Sequence, residues 1–401
     1  MNYLIDTANK FRPTEDMDLW KVQNSKYTIT IKWSHNCFQD YKKLSYNFFE
    51  CGRYIFHEVV HEKANTIKWD AWFLTGVFLM RHSIELALKA VLCREFEKKN
   101  TIQEIFKECK HDVFALFQKY CEVKKQEYLS IHESKWLKEY LISIEAIDKK
   151  SDTFRFPFSD EFISKYDQKF LDIKSVVDNI LQAFSLVKKI LERGNVNDKV
   201  VFNNNLKPSF FVFTDTRMRN CYLRKDFGGK GFYSKIEGYT EVIDYIYNIK
   251  EIPLENKSYP LICMLRNDIE LYLKCLLCHD VEQPVDTKKK RRTKERSHKI
   301  KEDLWKSVRP VLEYYRKEQC DDTMESLDIV EDKLNSIDSL DKNGDMFRYP
   351  TSYSLEYKMD KKTFDLQNVY EYMRAIINFL DTCDIMLGLA AEYEAEIRSD
   401  D

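Results

Sequence analysis

The chain has 401 residues, of which 44% are hydrophobic, so it is long and apolar enough for two globular domains with separate cores. Glycine (9) and proline (8) are scarce, so few positions break helices and a mostly helical fold is expected. Lysine plus arginine (64) nearly balances aspartate plus glutamate (66), and the formal net charge is -2. Any attraction to nucleic acid or to a membrane must therefore be local.

Three further features of the sequence bear on where the protein works. The N-terminus lacks the basic start and the apolar run of a signal peptide. The longest apolar stretch, residues 71–80, is too short to cross a bilayer. Eleven cysteines, an odd number without framework spacing, are typical of reduced thiols. These features predict a cytoplasmic protein without membrane association.

The predicted elements divide the chain into four parts. Residues 1–33 form an N-terminal extension whose alternating β-branched residues predict a strand at 27–33. Residues 34–194 form a first helical module, with predicted helices at 38–62, 69–96, 101–121, 125–148 and 166–193. Residues 195–235 are predicted to be a linker with a small β element at the apolar run 210–213, and residues 236–401 form a second helical module.

An internal repeat is the strongest signal in the sequence. LMRHSIELALKAVLC (79–93) aligns without gaps on MLRNDIELYLKCLLC (264–278), at an offset of 264 − 79 = 185. Such self-similarity is the signature of duplicated structural units.

Further blocks follow the first one in the same order in both copies. They are KHDVFALF around His111 and SHKIKEDLW around His298 (offset 187), DTFRFP around Arg155 and DMFRYP around Arg348 (offset 193), and Asp172 and Asp365 (offset 193). Because the offsets change only by small insertions, the sequence predicts two tandem helical bundles, an all-α fold with a small β-containing linker.

A polar stripe crosses the otherwise apolar first block. Arg81, Glu85 and Lys89 lie four residues apart and therefore on one helix face. The second copy repeats the stripe as Arg266, Glu270 and Lys274. The surrounding apolar residues indicate that the stripe is partly buried, and buried charges need partners.

Two interpretations of the repeated polar residues are open. In the first, they form a salt-bridge network around Glu85 that only holds the helices together. In the second, Arg81, Glu85, His111 and Arg155 converge with their second-copy counterparts on a cleft between the modules. Arginine binds phosphate in a bidentate manner and histidine is the usual acid or base near neutral pH, so such a cleft is suited to binding and cleaving a phosphodiester.

The central helix of each module resembles that of the HEPN superfamily. The resemblance rests on an arginine followed by a polar residue, Arg81-His82 and Arg266-Asn267, and covers residues 38–193 and 236–395. It implies a metal-independent ribonuclease of toxin–antitoxin, abortive-infection or CRISPR type, in which two modules pair face to face and give Arg and His to one composite site. The family's histidine follows the arginine after four to six intervening residues, and both central helices lack it; the string that fits the spacing is Arg291 or Arg292 to His298 in the basic run. We consider His111 and His298 as its replacements.

The predicted function is thus an RNA-cleaving or RNA-binding effector of the HEPN type in bacterial anti-phage defence. His111, His298, Arg81, Arg266, Glu85 and Glu270 are the candidate catalytic residues, and Arg155, Arg348, Lys89 and Lys274 the candidate phosphate-binding residues. The resemblance implies no cofactor, RNA (tRNA among the candidates) as the partner, a regulatory or defence-system protein as a second partner, and an internal pseudo-dimer. The alternative is a non-catalytic helical scaffold.

A basic run at 288–296 is a second candidate RNA contact. Lys289, Arg291 and Arg292 belong to it, and each phosphate that such side chains neutralise adds affinity. The alternative is a solvated loop without a ligand.

Two short strings match metal or cofactor motifs. His57, Glu58 and His61 spell H-E-x-x-H, which predicts two zinc ligands on one helix face with Glu58 as base. The second module lacks the string, so a zinc metallohydrolase is a minor alternative. Cys275 to His279 spells C-x-x-C-H, a haem-attachment string, for which core cysteines are the preferred explanation because Cys278 matches Cys93 in the repeat.

Overall fold

A computed structural model describes residues 12–195, 201–224, 231–279, 281, 297–318, 325–359 and 361–400. The fold is predominantly helical with small antiparallel sheets, which confirms the predicted class. The helices are α1 (Cys37–His61), α2 (Phe73–Glu95), α3 (Lys99–Cys109), α4 (Val113–Val123), α5 (Ile131–Asp148), α6 (Asp160–Tyr166), α7 (Ile173–Leu191), α8 (Phe232–Asn248), α9 (Leu254–Leu276), α10 (Lys306–Glu318), α11 (Glu325–Leu340) and α12 (Leu366–Asp400).

The two central helices are α2 and α9, and they are buried on all sides. Every residue from Phe73 to Leu92 is buried in α2, and every residue from Lys257 to Leu276 in α9. Helices α1 and α7 pack on α2, whereas α8 and α12 pack on α9, so each repeat copy builds the same layer around its own central helix. Among the described residues, no helix is both long and apolar enough to cross a membrane.

The strands exchange between the two copies of the repeat. They are β1 (Thr28–Lys32), β2 (Lys169–Leu171), β3 (Phe213–Thr214), β4 (Cys221–Leu223) and β5 (Lys361–Asp365). Strand β1, which precedes the first module, pairs antiparallel with β5, which precedes the last helix of the second module. Reciprocally, β4 precedes the second module and pairs with β2 before the last helix of the first. Each copy therefore completes the sheet of the other.

The positions of several elements differ from those predicted. The helix predicted at 101–121 is two helices, because Lys110 takes a left-handed conformation (φ 50°) and the Asp112 side chain then caps α4 by accepting a hydrogen bond from the backbone N–H of Ala115. The helix predicted at 166–193 begins only after β2, where Asp172 caps α7. The predicted strand at 27–33 is confirmed as β1.

One pair of cysteines departs from the reduced state that the composition predicts. Cys37 at the start of α1 and Cys93 near the end of α2 form a disulfide, with their Cα atoms 5.9 Å apart. The other cysteines that the structure describes are free, and most of them are buried.

Candidate functional site

The carboxylate of Glu85 is the centre of a buried polar network in the first module. Arg81 donates to Oε2, and Oε1 lies 2.8 Å from Nζ of Lys89 and 3.0 Å from Nδ1 of His111. The hydroxyl of Tyr349, which comes from the second module, donates to the same Oε1 at 2.9 Å. Glu85 and Arg81 are completely inaccessible to solvent, so the stripe predicted on this helix is fully buried.

Opposing effects act on the ionisation of Glu85. Burial raises the pKa of its carboxyl, but the positive charges of Lys89, His111 and Arg81 outweigh burial and hold that pKa well below the usual value of 4.5. Glu85 is therefore a carboxylate, and it presents only lone pairs to the four donors around it.

The second module repeats this network around Glu270. Arg266 donates to Oε2 at 2.6 Å, Lys274 lies 2.8 Å from Oε1, and Nδ1 of His298 lies 2.7 Å from the same oxygen. The conserved offset of the blocks thus corresponds to equivalent contacts in three dimensions. The stripe is therefore a salt-bridge network in both modules, and each network includes a histidine.

The buried arginines also fix the backbone on which each histidine lies. Arg81 donates to the main-chain carbonyl of His111 and forms an ion pair with Asp148 at 3.1 Å. In the second copy, Arg266 donates to the carbonyl of His298. Because a guanidinium has five donors in a fixed plane, one side chain can hold a carboxylate and a loop carbonyl at once.

The F-R-[FY]-P blocks cross from one module to the other. Nη2 of Arg155 donates to Oδ1 of Asn267 on α9 at 2.9 Å. Reciprocally, Nε2 of His82 on α2 donates to the main-chain carbonyl of Arg348 at 3.1 Å. The polar residue that follows each helix arginine, His82 or Asn267, therefore holds the opposite module's block in place. Both guanidinium carbons lie near one ring, that of Phe78, at 6.0 and 5.9 Å from its centroid.

These contacts create one cleft of about 870 Å³ between the modules. Its lining contains His111 and His298 and both F-R-[FY]-P arginines, Arg155 and Arg348. Among the described residues, five lysines and arginines line the cleft against two aspartates, Asp152 and Asp160, so this lining is positively charged although the whole chain is nearly neutral. The five cations are Lys150, Arg155, Arg224, Lys274 and Arg348.

The two cleft arginines lack a carboxylate partner among the residues that the structure describes. Arg155 and Arg348 are 7% and 6% exposed, and neither forms an ion pair with a residue that the structure describes. Nε of each guanidinium is buried without a hydrogen-bond partner in the same part of the chain. Burial and the charge of Arg348 lower the pKa of Arg155, yet guanidinium groups remain charged in proteins. Two neighbouring buried cations without a counter-ion favour the binding of an anion.

The two histidines differ in their surroundings. Nε2 of His111 lies 3.2 Å from the hydroxyl of Tyr353, and burial lowers the pKa of His111 although Glu85 opposes the shift. The side chain of His298 is 50% exposed, compared with 25% for His111. Nε2 of His298 has no hydrogen-bond partner within the described ranges, and Phe156 lies beside its ring where Tyr349 lies beside His111. His298 is therefore the more accessible of the two.

The structure separates the predicted site residues into two groups. His111, His298, Arg155, Arg348 and Lys274 line the cleft. Behind them, without access to solvent in the cleft, lie Arg81, Glu85, Lys89, Arg266 and Glu270. The second group can position the first but cannot itself contact a phosphate.

The basic run and the H-E-x-x-H string are the remaining predicted candidates. Lys289, Arg291 and Arg292 lie outside the described residues. In the H-E-x-x-H string, the ring of His57 is 62% exposed, Glu58 pairs with Lys68, and Nδ1 of His61 bonds to the His57 carbonyl one turn earlier on the helix. Within the described ranges, these residues are not among those whose ligand atoms converge as a metal site requires.

Several residues of the networks were missed in the sequence. Asp148 and Asp341 end the helices before the two F-R-[FY]-P blocks, and each carboxylate caps the following turn. The strings LISIEAID (141–148) and LNSIDSLD (334–341) share the offset 193 and would have identified both aspartates. The role of Tyr349 had no such signal, because the aligned residue is Phe156.

Comparisons with known proteins add no relative to this description. The chain matches no protein-family model, and no curated protein or solved structure is significantly similar to it.

Proposed function

We propose that the cleft between the two modules binds RNA through its phosphates and cleaves it as a metal-independent ribonuclease of the HEPN type. The observation that carries the proposal is the pair of buried arginines, Arg155 and Arg348, which line the cleft without a carboxylate partner within the described residues. A phosphodiester supplies the missing negative charge, and its two non-bridging oxygens suit guanidinium donors.

The two histidines supply the acid–base chemistry in this proposal. Nδ1–H of His111 faces Glu85, and Nδ1–H of His298 faces Glu270, so Nε2 is the atom that each ring offers to substrate. On His111 the substrate displaces the hydroxyl of Tyr353 from Nε2. One neutral ring takes the proton of the attacking 2′-hydroxyl, and the other, protonated, donates to the leaving 5′-oxygen. Glu85 and Glu270 are positioning residues that orient the rings.

The duplicated chain provides both halves of such a site in one molecule. In the HEPN superfamily two modules pair face to face around a composite site, and the resemblance of the two central helices supports the same arrangement here. Strand exchange between β1 and β5, and between β2 and β4, supports a fixed mutual orientation of the modules. A role in anti-phage defence follows from the resemblance alone and belongs to the same proposal.

The test is cleavage of labelled single-stranded RNA and tRNA in the presence of a chelator. We expect the wild-type chain to cleave RNA, and His298→Ala and His111→Ala each to reduce the rate by about 10²–10⁴-fold, the usual contribution of a general acid or base. The matched control is His132→Ala, an exposed histidine on α5, which leaves the rate unchanged. Loss of viability on overexpression, abolished by the same two variants, serves as a cellular readout.

The second candidate function is a non-catalytic RNA-binding scaffold. It is favoured by the complete burial of Arg81 and Arg266, the family's motif arginines, which cannot reach a substrate. RNA binding without cleavage, undiminished in the two histidine variants, would select the scaffold. Absence of both binding and cleavage would contradict the proposal as a whole.

A further inference from the structure

A second cluster of polar residues lies where the C-terminal end of α9 meets α12, and it shares no residue with the two histidine networks. Cys275 is in the last turn of α9, His279 follows the end of that helix, and Asp384 is on α12. Their ligand atoms lie within 4.8 Å of one another, and Nε2 of His279 is 2.7 Å from Oδ1 of Asp384. The thiol and the carboxylate are buried, and the imidazole is 10% exposed.

The first module shows what the same positions contain without these ligands. By the offsets of the repeat, Cys275 replaces Ala90 and His279 replaces Arg94 (offset 185), and Asp384 replaces Leu191 (offset 193). In that module Arg94 ties the two helix ends together by donating to the carbonyl of Leu191 at 2.7 Å. The three positions lie close together in the second module, and all three hold residue types that bind metals, unlike the aligned positions of the first module.

We propose that Cys275, His279 and Asp384 form a binding site for one divalent transition-metal ion of the zinc class. Thiolate, imidazole and carboxylate are the three zinc ligands of proteins, and three of them leave a fourth tetrahedral position for water. A tetrahedral ion with bonds of about 2.0–2.3 Å keeps its ligand atoms about 3–4 Å apart. The three ligand atoms here lie within 4.8 Å of one another, so the imidazole and the carboxylate, now 2.7 Å apart, separate slightly when the ion binds.

Charge and access agree with this assignment. A thiolate and a carboxylate carry two negative charges, which one divalent cation neutralises in a buried place. The thiolate is the form of cysteine that binds a metal, so binding of the ion releases the thiol proton to solvent. The exposed edge of His279 gives the ion a path from solvent. Once bound, the ion joins α9 to α12, as Arg94 joins the equivalent helices of the first module.

The site is tested on the full chain without a histidine tag. We expect one zinc per chain after purification, and, after exchange, a cobalt(II) spectrum with a thiolate-to-metal charge-transfer band and tetrahedral d–d bands. Cys275→Ala, which restores the residue of the first module, and Asp384→Asn, which keeps the size of the side chain, each abolish stoichiometric binding. The matched control Cys121→Ser, a partly buried cysteine outside the cluster, keeps it.

Circular dichroism first establishes that each variant is folded. A folded wild-type chain that binds neither zinc nor cobalt(II) would overturn the proposal, and so would unaltered binding by both variants. Neither outcome depends on RNA, so this proposal fails or stands separately from that of the cleft.

Discussion

Glu85→Gln removes the charge at the centre of the first network while it keeps the shape of the side chain. Both carboxylate oxygens face donors, since Arg81 donates to Oε2 and Lys89, His111 and Tyr349 surround Oε1. Either orientation of the new amide therefore points its N–H groups at a donor. Arg81 and Lys89 are at most 1% exposed. Lys89 loses its counter-charge, and Arg81 keeps only that of Asp148. We expect a loss of about 3–5 kcal/mol in the free energy of unfolding, as for other broken buried ion pairs.

The measurement is urea unfolding at pH 7, followed by circular dichroism. The matched control is Asp178→Asn, which breaks the exposed pair of Asp178 with Lys174 on α7 and costs at most about 1 kcal/mol. Because the folded pKa of Glu85 lies below 4.5, its contribution is present above that pH and is lost as the pH falls further. The difference between wild type and variant therefore narrows in acid. A loss of unfolding free energy as small as that of the control, or one that does not change with pH, would show that Glu85 does not stabilise the fold through these ion pairs.

Three other changes test the contacts between the modules by urea unfolding. Tyr349→Phe introduces the residue found at this position in the first copy and removes the hydrogen bond to the charged Glu85. It lowers the free energy of unfolding by about 1–2 kcal/mol, and no change would exclude a contribution from that hydroxyl. His82→Leu leaves the buried carbonyl of Arg348 unpaired and lowers the free energy of unfolding by about 1–3 kcal/mol. His82→Asn, which introduces the residue of the second copy, lowers it less. Equal losses would contradict the hydrogen bond from His82 to that carbonyl. Gly238→Ala lowers the free energy of unfolding by about 1–3 kcal/mol because its Cβ would lie 2.7 Å from the carbonyl oxygen of Ala71. Gly388 tolerates alanine, because its Cβ would make only an ordinary contact with His279 at 3.8 Å. The reverse order would contradict the close approach of α8.

The repeat explains why much of the fold could be predicted from the sequence. The aligned blocks contain the helix caps, the buried stripe and the loop histidines. Their alignment therefore predicts that the two modules make equivalent contacts. The helix break at Lys110 was not predictable in this way, because a lysine gives no local signal for a left-handed conformation. The strand exchange was also missed, because β pairing between distant segments leaves no local pattern.

The candidate site was predicted in part. His111, His298, Arg155 and Arg348 line a common cleft, as the repeat suggested. The sequence could not show which of these residues reach the cleft and which are buried behind it. Residues on one helix face share the same period whether that face contacts solvent or another helix. The place of Tyr349 was likewise hidden, because its contact with Glu85 depends on how the modules pair.

RNA affinity as a function of salt tests the central claim about the cleft most directly. For a single strand, each phosphate contact adds about 0.7 to the slope of log affinity against log salt, so Arg155→Met with Arg348→Met should weaken binding and reduce that slope by about 1.4. The control removes two exposed charges outside the cleft lining, as Arg53→Met with Lys135→Met, and changes neither quantity. Thermal melts establish that both double variants are folded. Wild-type affinity and slope in the folded cleft variant would contradict an RNA-binding cleft between the modules.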